Sequence, residues 1–161
     1  MPTQAASKTT FSTPTDCDIL VSRTVSAPRQ IVYEAYTKPE HLRKWLLGPD
    51  GWTMTGCEFE PRAGTRYRYA WRKDDGSAME ITGRVVEVLP PERIVTTETW
   101  GDPWPETVNT VTFDETQGRT TIVTLMHFPT TQARDAALAT GMTSGMATSF
   151  ERLDRYLASL S

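Results

Sequence analysis

Alternation of apolar and polar side chains dominates the middle of the chain. Between residues 52 and 128 the sequence divides into six stretches in which hydrophobic side chains recur at every second position. That is the period of a strand with one face on a core and one in water. The clearest is 65–73, with Tyr67, Tyr69 and Trp71 on one face and Arg66, Arg68 and Arg72 on the other. The others are 52–60, 78–89, 93–100, 107–114 and 120–128. Pro61-Arg62-Ala63-Gly64, Asp74-Asp75-Gly76 and Pro90-Pro91 supply turns between them. A further strand is expected near 18–26, where Ile19, Val21 and Val25 share one face with Arg23. A charged side chain at that parity either meets a carboxylate inside the fold or lies at the strand end.

The period changes on either side of this block. Pro28 suits the first turn of a helix, where its missing N–H costs nothing, and Ile31, Val32, Ala35 and Tyr36 form a stripe behind it. Pro39 opens a second short helix with Leu42, Trp45 and Leu46 facing inward, and Gly48-Pro49-Asp50-Gly51 ends it. At the C-terminus, Met142, Met146, Phe150, Leu153, Leu157 and Leu160 recur at spacings of three and four. They predict one long helix over 131–159, capped by Thr130 or Thr131. Gly141 and Gly145 within it let the helix approach the sheet closely or bend. Residues 1–16, rich in Ser, Thr and Pro, are expected to be a flexible arm, leaving 17–161 as a single domain.

Strands joined by short turns make an antiparallel meander, and the only surface large enough for the long helix is that sheet. The expected fold class is α+β: a curved antiparallel sheet of about seven strands wrapped around a C-terminal helix, with two short helices after the first strand. Gly56, Gly64 and Gly83 are candidates for the bulges that curvature needs. A curved sheet and one helix leave a gap between layers, and a gap that bulky side chains do not fill is a pocket.

The aromatic residues make this pocket the leading functional candidate. Trp45, Tyr67, Tyr69, Trp71, Trp100 and Trp104 offer flat apolar walls, and Met142, Met146 and Phe150 line the facing helix. Methionines adapt to ligands of different shape. Any one of these residues is equally at home in an ordinary core, so the case rests on the set. His127 shares parity with Val123 and Leu125 and is expected to point inward. It is either a ligand-bonding or acid–base residue, the one weak catalytic candidate, or a structural histidine bonded to backbone. His41 reads as solvent-exposed. Glu98, Asp102 and Glu106 surround Trp100 and Trp104, where the stiff loop 101–105 would rim the pocket mouth; these carboxylates read as a solvated rim.

Composition narrows the classes. A length of 161 residues suits one domain. A formal net charge of -3 with scattered Lys and Arg gives no electrostatic reason to hold nucleic acid or an anionic membrane. No apolar run nears the roughly 20 residues that span a bilayer, and the N-terminus lacks the apolar core of a secretory signal, so a cytoplasmic location is expected. Cys17 and Cys57 allow one disulfide at most, and two reduced thiols are the simpler reading. The chain has no phosphate loop, dinucleotide fingerprint, zinc-ligand spacing or nucleophile elbow. Neither metal nor cofactor is expected.

Several stretches also resemble a known group. They are Ser22-Arg23-Thr24-Val25-Ser26-Ala27-Pro28, then Thr37-Lys38-Pro39-Glu40-His41-Leu42-Arg43-Lys44-Trp45, then Gly83-Arg84-Val85-Val86-Glu87-Val88-Leu89-Pro90-Pro91-Glu92-Arg93-Ile94-Val95. Asp102-Pro103-Trp104, Ala133-Arg134-Asp135 and the run from Gly141-Met142 to Arg152-Leu153 follow in order. Together they resemble the helix-grip (START-like, SRPBCC) superfamily, which includes the birch-pollen allergen group (Bet v 1-like) and polyketide cyclases. More narrowly they resemble bacterial AHSA1-like proteins, homologues of the Hsp90 ATPase activator. The resemblance implies the helix-grip fold and three functions. The first, favoured here, is binding of a small hydrophobic or aromatic molecule between sheet and helix, by a monomer or homodimer. The second is a cyclase- or dehydratase-type enzyme. The third is a chaperone-interacting module, although the eukaryotic co-chaperone carries a separate N-terminal domain and about 16 residues precede the first strand here.

Overall fold

The computed structural model describes residues 8–160. Of the expected arm, residues 1–7 lie outside the described residues, as does residue 161. The element order is β1 (Thr10–Ser12), β2 (Asp18–Val25), α1 (Arg29–Thr37), α2 (Pro39–Trp45), β3 (Trp52–Glu58), β4 (Arg66–Lys73), β5 (Ala78–Leu89), β6 (Arg93–Glu98), β7 (Thr107–Thr116), β8 (Arg119–His127), α3 (Thr131–Ala139) and α4 (Met142–Ser159). The strands form one open sheet in the order β1-β2-β8-β7-β6-β5-β4-β3. Every pairing is antiparallel. This is the expected α+β helix-grip architecture.

Two elements differ from the sequence reading. The sheet has eight strands rather than about seven: within the segment taken for an arm, Thr10–Ser12 pairs with Leu20–Ser22 of β2. Three residues of Thr, Phe and Ser carry no periodic signal of their own, so pairing alone makes this strand. The long C-terminal helix is also two helices. Gly141, at φ 81°, sits in the left-handed region between α3 and α4, a conformation open to glycine at little cost. Thr130 caps α3 as expected, its hydroxyl accepting from the Ala133 N–H at 3.0 Å. Gly145 admits the Pro49 ring rather than the sheet: a Cβ there would lie 3.2 Å from Pro49 Cδ.

Curvature has local causes. The β3–β4 register shifts between Met54 and Gly56, and the β5–β6 register shifts between Val85 and Glu87. Each shift inserts an extra residue and bends its strand. Gly83 marks a third bend. A Cβ there would lie 1.9 Å from the Thr97 carbonyl oxygen and 2.7 Å from Tyr67 Cε1. The missing side chain lets the Tyr67 ring pass over β5 so that its hydroxyl donates to Thr97 O at 2.7 Å.

The loop after α2 and strand β2 tether the C-terminal helix. Ser149 Oγ accepts from the Gly48 N–H at 2.8 Å, and Arg152 donates to Gly48 O at 2.6 Å and to Asp50 at 2.8 Å. Trp71 Nε1 donates to Leu46 O at 2.7 Å, joining β4 to the end of α2. The buried Arg23 reaches Asp154 of α4 at 3.0 Å, which resolves the parity question in favour of an internal partner. The backbone of α4 runs close to α2 and α3, whereas α1 is the helix that approaches β7 and β8.

Gly83→Ala tests the bend. The methyl group collides with a backbone carbonyl that cannot rotate away, so the substitution is expected to cost about 3 kcal/mol. A fall of that size in urea-denaturation free energy checks it, and a loss within about 0.5 kcal/mol contradicts the geometry.

Candidate functional site

The inner face of the sheet has two halves that differ in packing. On β2 and β8 it is sealed: Ile19, Val21, Arg23, Val25, Thr120, Ile122, Thr124 and Met126 are all buried. Phe113 of β7 joins them, with Tyr33 and Tyr36 of α1 set edge-on to its ring at 5.8 and 5.1 Å. On β4 to β7 sealing is incomplete. Ile81, Thr96, Glu98 and Val111 occupy inward positions in the ladder and remain only half-buried. Val111 and Thr96 lie on the two strands nearest the sheet's middle, where a filled core would close over them.

Three polar groups open toward this space. Tyr33 Oη is sealed without a hydrogen-bond partner. Tyr36 and Tyr69 make no hydrogen bond within the protein among the described residues, yet their hydroxyls are not sealed in this way. Burial pushes both phenols well above their ordinary pKa, although both residues are only half-buried by surface. They lie deep in the molecule and still keep accessible surface. The third group is Glu98. Trp100 Nε1 donates to its Oε2 at 3.0 Å, and Thr107 Oγ1 donates to Asn109 Oδ1 at 3.2 Å beside it.

The structure brings together most of the residues expected at the site. Tyr67, Tyr69 and Trp71 face inward along β4, with Phe59 5.8 Å from the Tyr67 ring and Tyr67 5.2 Å from Tyr69. Trp45 stacks on Phe150 of α4 at 6.2 Å, and its indole donates to Ala35 O at 3.0 Å. Trp45 and Trp71 are fully buried with their N–H groups satisfied by backbone, so they are structural posts. Trp100 and Trp104 pack at 4.9 Å, and Met142 and Met146 are half-buried against the same core.

Three expectations need correction. His127 does not point inward; its side chain is 59% exposed, and Nδ1 lies 2.6 Å from Asp18 Oδ1. The inward set on β8 is Thr120, Ile122, Thr124 and Met126, so the apolar Val123 and Leu125 mark the outer face. Glu98 is not part of a solvated rim; it shares the inward parity of Ile94 and Thr96, a signal the sequence carried. Asp102 and Glu106 are exposed as expected. His41 is half-buried, with Nδ1 2.5 Å from Tyr156 Oη. Cys17 and Cys57 are both free. Among the described residues no cluster of His, Cys, Asp and Glu is grouped to hold a metal, and no helix is long and apolar enough to cross a membrane.

The family described as Activator of Hsp90 ATPase homolog 1-like protein matches residues 26–158. The chain belongs to this family. No curated protein sequence matches it. Among solved structures, a Rhodobacter sphaeroides protein is 30% identical over 96% of this chain and 100% of its own, with a TM-score of 0.88. A Staphylococcus epidermidis protein is 25% identical over 94% of this chain and 95% of its own, with a TM-score of 0.80. The AHSA1 protein of Silicibacter pomeroyi, 18% identical over 89% and 99%, shares the fold at a TM-score of 0.75. The AHSA1-like fold commonly binds hydrophobic ligands.

In this AHSA1-like domain, burial pushes the Glu98 carboxyl above the usual carboxylate range, outweighing hydrogen bonds from Trp100 and Asn109 that pull it down. A group held more firmly protonated in the fold than in the unfolded chain adds stability at low pH, and that stability is lost as pH rises through the folded-state value. Glu98→Gln keeps the shape and cannot ionise. It is expected to melt above the wild type at about pH 8, with the difference closing toward about pH 4; melting curves across that range check the sign. Asp18 behaves oppositely. Its hydrogen bond to His127 holds its carboxyl below the usual range, so the stabilisation is present at neutral pH and lost on acidification. Asp18→Asn is expected to cost at most about 1 kcal/mol at neutral pH and to flatten the acid limb of the stability curve.

Proposed function

We propose that the chain binds a small apolar, aromatic molecule in the hollow between β4–β7 and α4. The observation that carries this reading is the incomplete sealing of Thr96 and Val111 at the middle of the inner face. Aromatic walls, two adaptable methionines and a few convergent polar groups supply the usual makings of a small-molecule site. Two open surface concavities lie elsewhere. One, of about 240 Å³, is lined in part by Arg68, Ala70 and Glu80. The other is a groove of about 750 Å³ between Lys8, Arg23 and the α4 residues Glu151 and Arg155. The groove is lined largely by charged side chains, which suits an apolar occupant poorly, and the smaller concavity mixes Arg68, Arg72 and Glu80 with Ala70, Trp71, Ala78 and Met79 on the outer side of β4 and β5. The cyclase-type alternative loses its candidate residue, since His127 faces away from the hollow.

Binding to the folded state alone raises stability by about 2.7 kcal/mol at a ligand concentration 100-fold above Kd. Screening small aromatic compounds is therefore expected to find some that raise Tm and perturb fluorescence from Trp100 and Trp104. Val111→Trp, which fills the hollow, is expected to abolish that response while the circular dichroism spectrum stays native. A folded wild type that responds to none of them, or a Val111→Trp variant that responds equally well, contradicts this site.

A further inference from the structure

The side of β4 turned away from the hollow carries charges that the fold itself does not use. Arg66 and Arg84 stand directly opposite one another in the β4–β5 ladder, and both are exposed. Like charges at facing positions, with Cβ atoms about 5 Å apart, repel and weaken the pairing of the two strands. No carboxylate relieves them. Among the described residues the ion pairs near this face are Arg62–Glu60 at 3.2 Å and Arg68–Glu80 at 2.9 Å, and Arg66, Arg72 and Arg84 make none. Arg68 is held flat between them: a Cβ on Gly56 of β3 would lie 2.5 Å from its Nη1. Two open positive sites remain, the Arg66–Arg84 pair at one end of β4 and Arg72 toward the other. Beside Arg72 the face sinks into the concavity of about 240 Å³, with the small side chains of Ala70 and Ala78 in its lining. Six residues of strand separate Arg66 from Arg72, about 20 Å.

We propose that this outer face of β4 and β5 docks an extended acidic segment of a partner protein, with one carboxylate between Arg66 and Arg84 and a second at Arg72. Charge complementarity selects the occupant. A carboxylate between two guanidinium groups accepts charge-assisted hydrogen bonds from both and turns a repulsion into two attractions. An extended segment reaches both sites, because its residues rise along the chain at the same step as those of β4. A polyanion fits less well. Its phosphates recur without a break, whereas Glu58, opposite Arg68, and Glu80, opposite Ala70, interrupt the positive face. Single-stranded nucleic acid also relies on aromatic platforms for its bases, and the rings of Tyr67, Tyr69 and Trp71 lie on the other side of the strand. The docking face is separate from the hollow and stands or falls independently of it.

The probe is a Ser/Thr peptide carrying two Glu residues about six positions apart, and its control carries Lys in place of both. Titration of the isotope-labelled protein, followed by two-dimensional NMR, is expected to shift the amide signals of β4 and β5 with the Glu peptide and not with the Lys peptide. Raising salt is expected to weaken the response, because the charges are exposed. Arg66→Glu and Arg84→Glu each place a carboxylate opposite the remaining guanidinium. Each is expected to lower the peptide's affinity about tenfold or more while raising Tm, since the facing charges then attract. A variant that binds less and melts higher separates a lost docking face from a damaged fold. Arg72→Gln is expected to give a smaller loss of affinity. A wild type that does not respond to the Glu peptide, undiminished binding by Arg66→Glu and Arg84→Glu, or tighter binding of a thymidine oligonucleotide of similar length overturns the proposal.

Discussion

One helix has to cover an inner sheet face wider than itself. The sheet has eight strands, and at about 4.8 Å per strand spacing it is about 34 Å across. The 18 residues of α4 make a rod about 27 Å long and about 10 Å wide. The rest of the face must be covered by something else or left open. At β7 and β8 the short helix α1 closes it, where the rings of Tyr33, Tyr36 and Phe113 meet edge to face. Over β4 to β6 no second helix is available. The polar tethers of α4 run to the 48–50 loop and to β2, through Ser149, Arg152 and Asp154, while Phe150, Leu153 and Leu157 bury its apolar face. Half-buried positions on the inner face, at Ile81, Thr96 and Val111, are what this arithmetic and these attachments leave.

The two halves of the interior divide the energetic work. Fully buried Ile, Val and Phe side chains each contribute about 1.5–3 kcal/mol, and the sealed half of β2, β7 and β8 holds many of them. The half-buried side at Ile81, Thr96 and Val111 makes fewer such contributions, and it also holds the Glu98 carboxyl, whose burial costs stability unless it is protonated or paired. Natural sequences readily lose such costly features unless something retains them.

The sheet was legible in the sequence because alternation over long strands is a repeated signal. Each of Tyr67, Tyr69, Trp71 and each intervening Arg votes for the same register. Where the signal was short or symmetric, it failed. On β8 the inward face carries Thr120 and Thr124 and the outward face Val123 and Leu125, so polarity does not distinguish the faces and His127 was assigned to the wrong one. Glu98 has the parity of Ile94 and Thr96 within the expected strand 93–100, but its nearness to Asp102 and Glu106 groups it with them as a solvated rim. β1 exists only through its ladder with β2, and the break at Gly141 falls just before an apolar stripe that begins at Met142 and so gives no sign of it. The aromatic walls were legible as a set, whereas the distinction between wall and post needed the hydrogen bonds of Trp45 and Trp71.

Those hydrogen bonds also bear on specificity. A tryptophan or tyrosine in a pocket wall is often taken to be available for polar contact with a ligand, but here the indoles of Trp45, Trp71 and Trp100 and the hydroxyl of Tyr67 spend their donors on backbone carbonyls or on Glu98. The walls are therefore apolar in effect, able to select by shape and aromatic contact and unable to select by hydrogen bonding. Among the described residues the Tyr36 and Tyr69 hydroxyls have no internal partner, and apolar contacts alone discriminate by only about 1–3 kcal/mol per methylene-sized difference. A related chain could keep these aromatic residues and the fold and still differ in the polar groups at position 98 or position 69. Resemblance among members of this family consequently says more about the shape of the space than about the chemistry of what fills it.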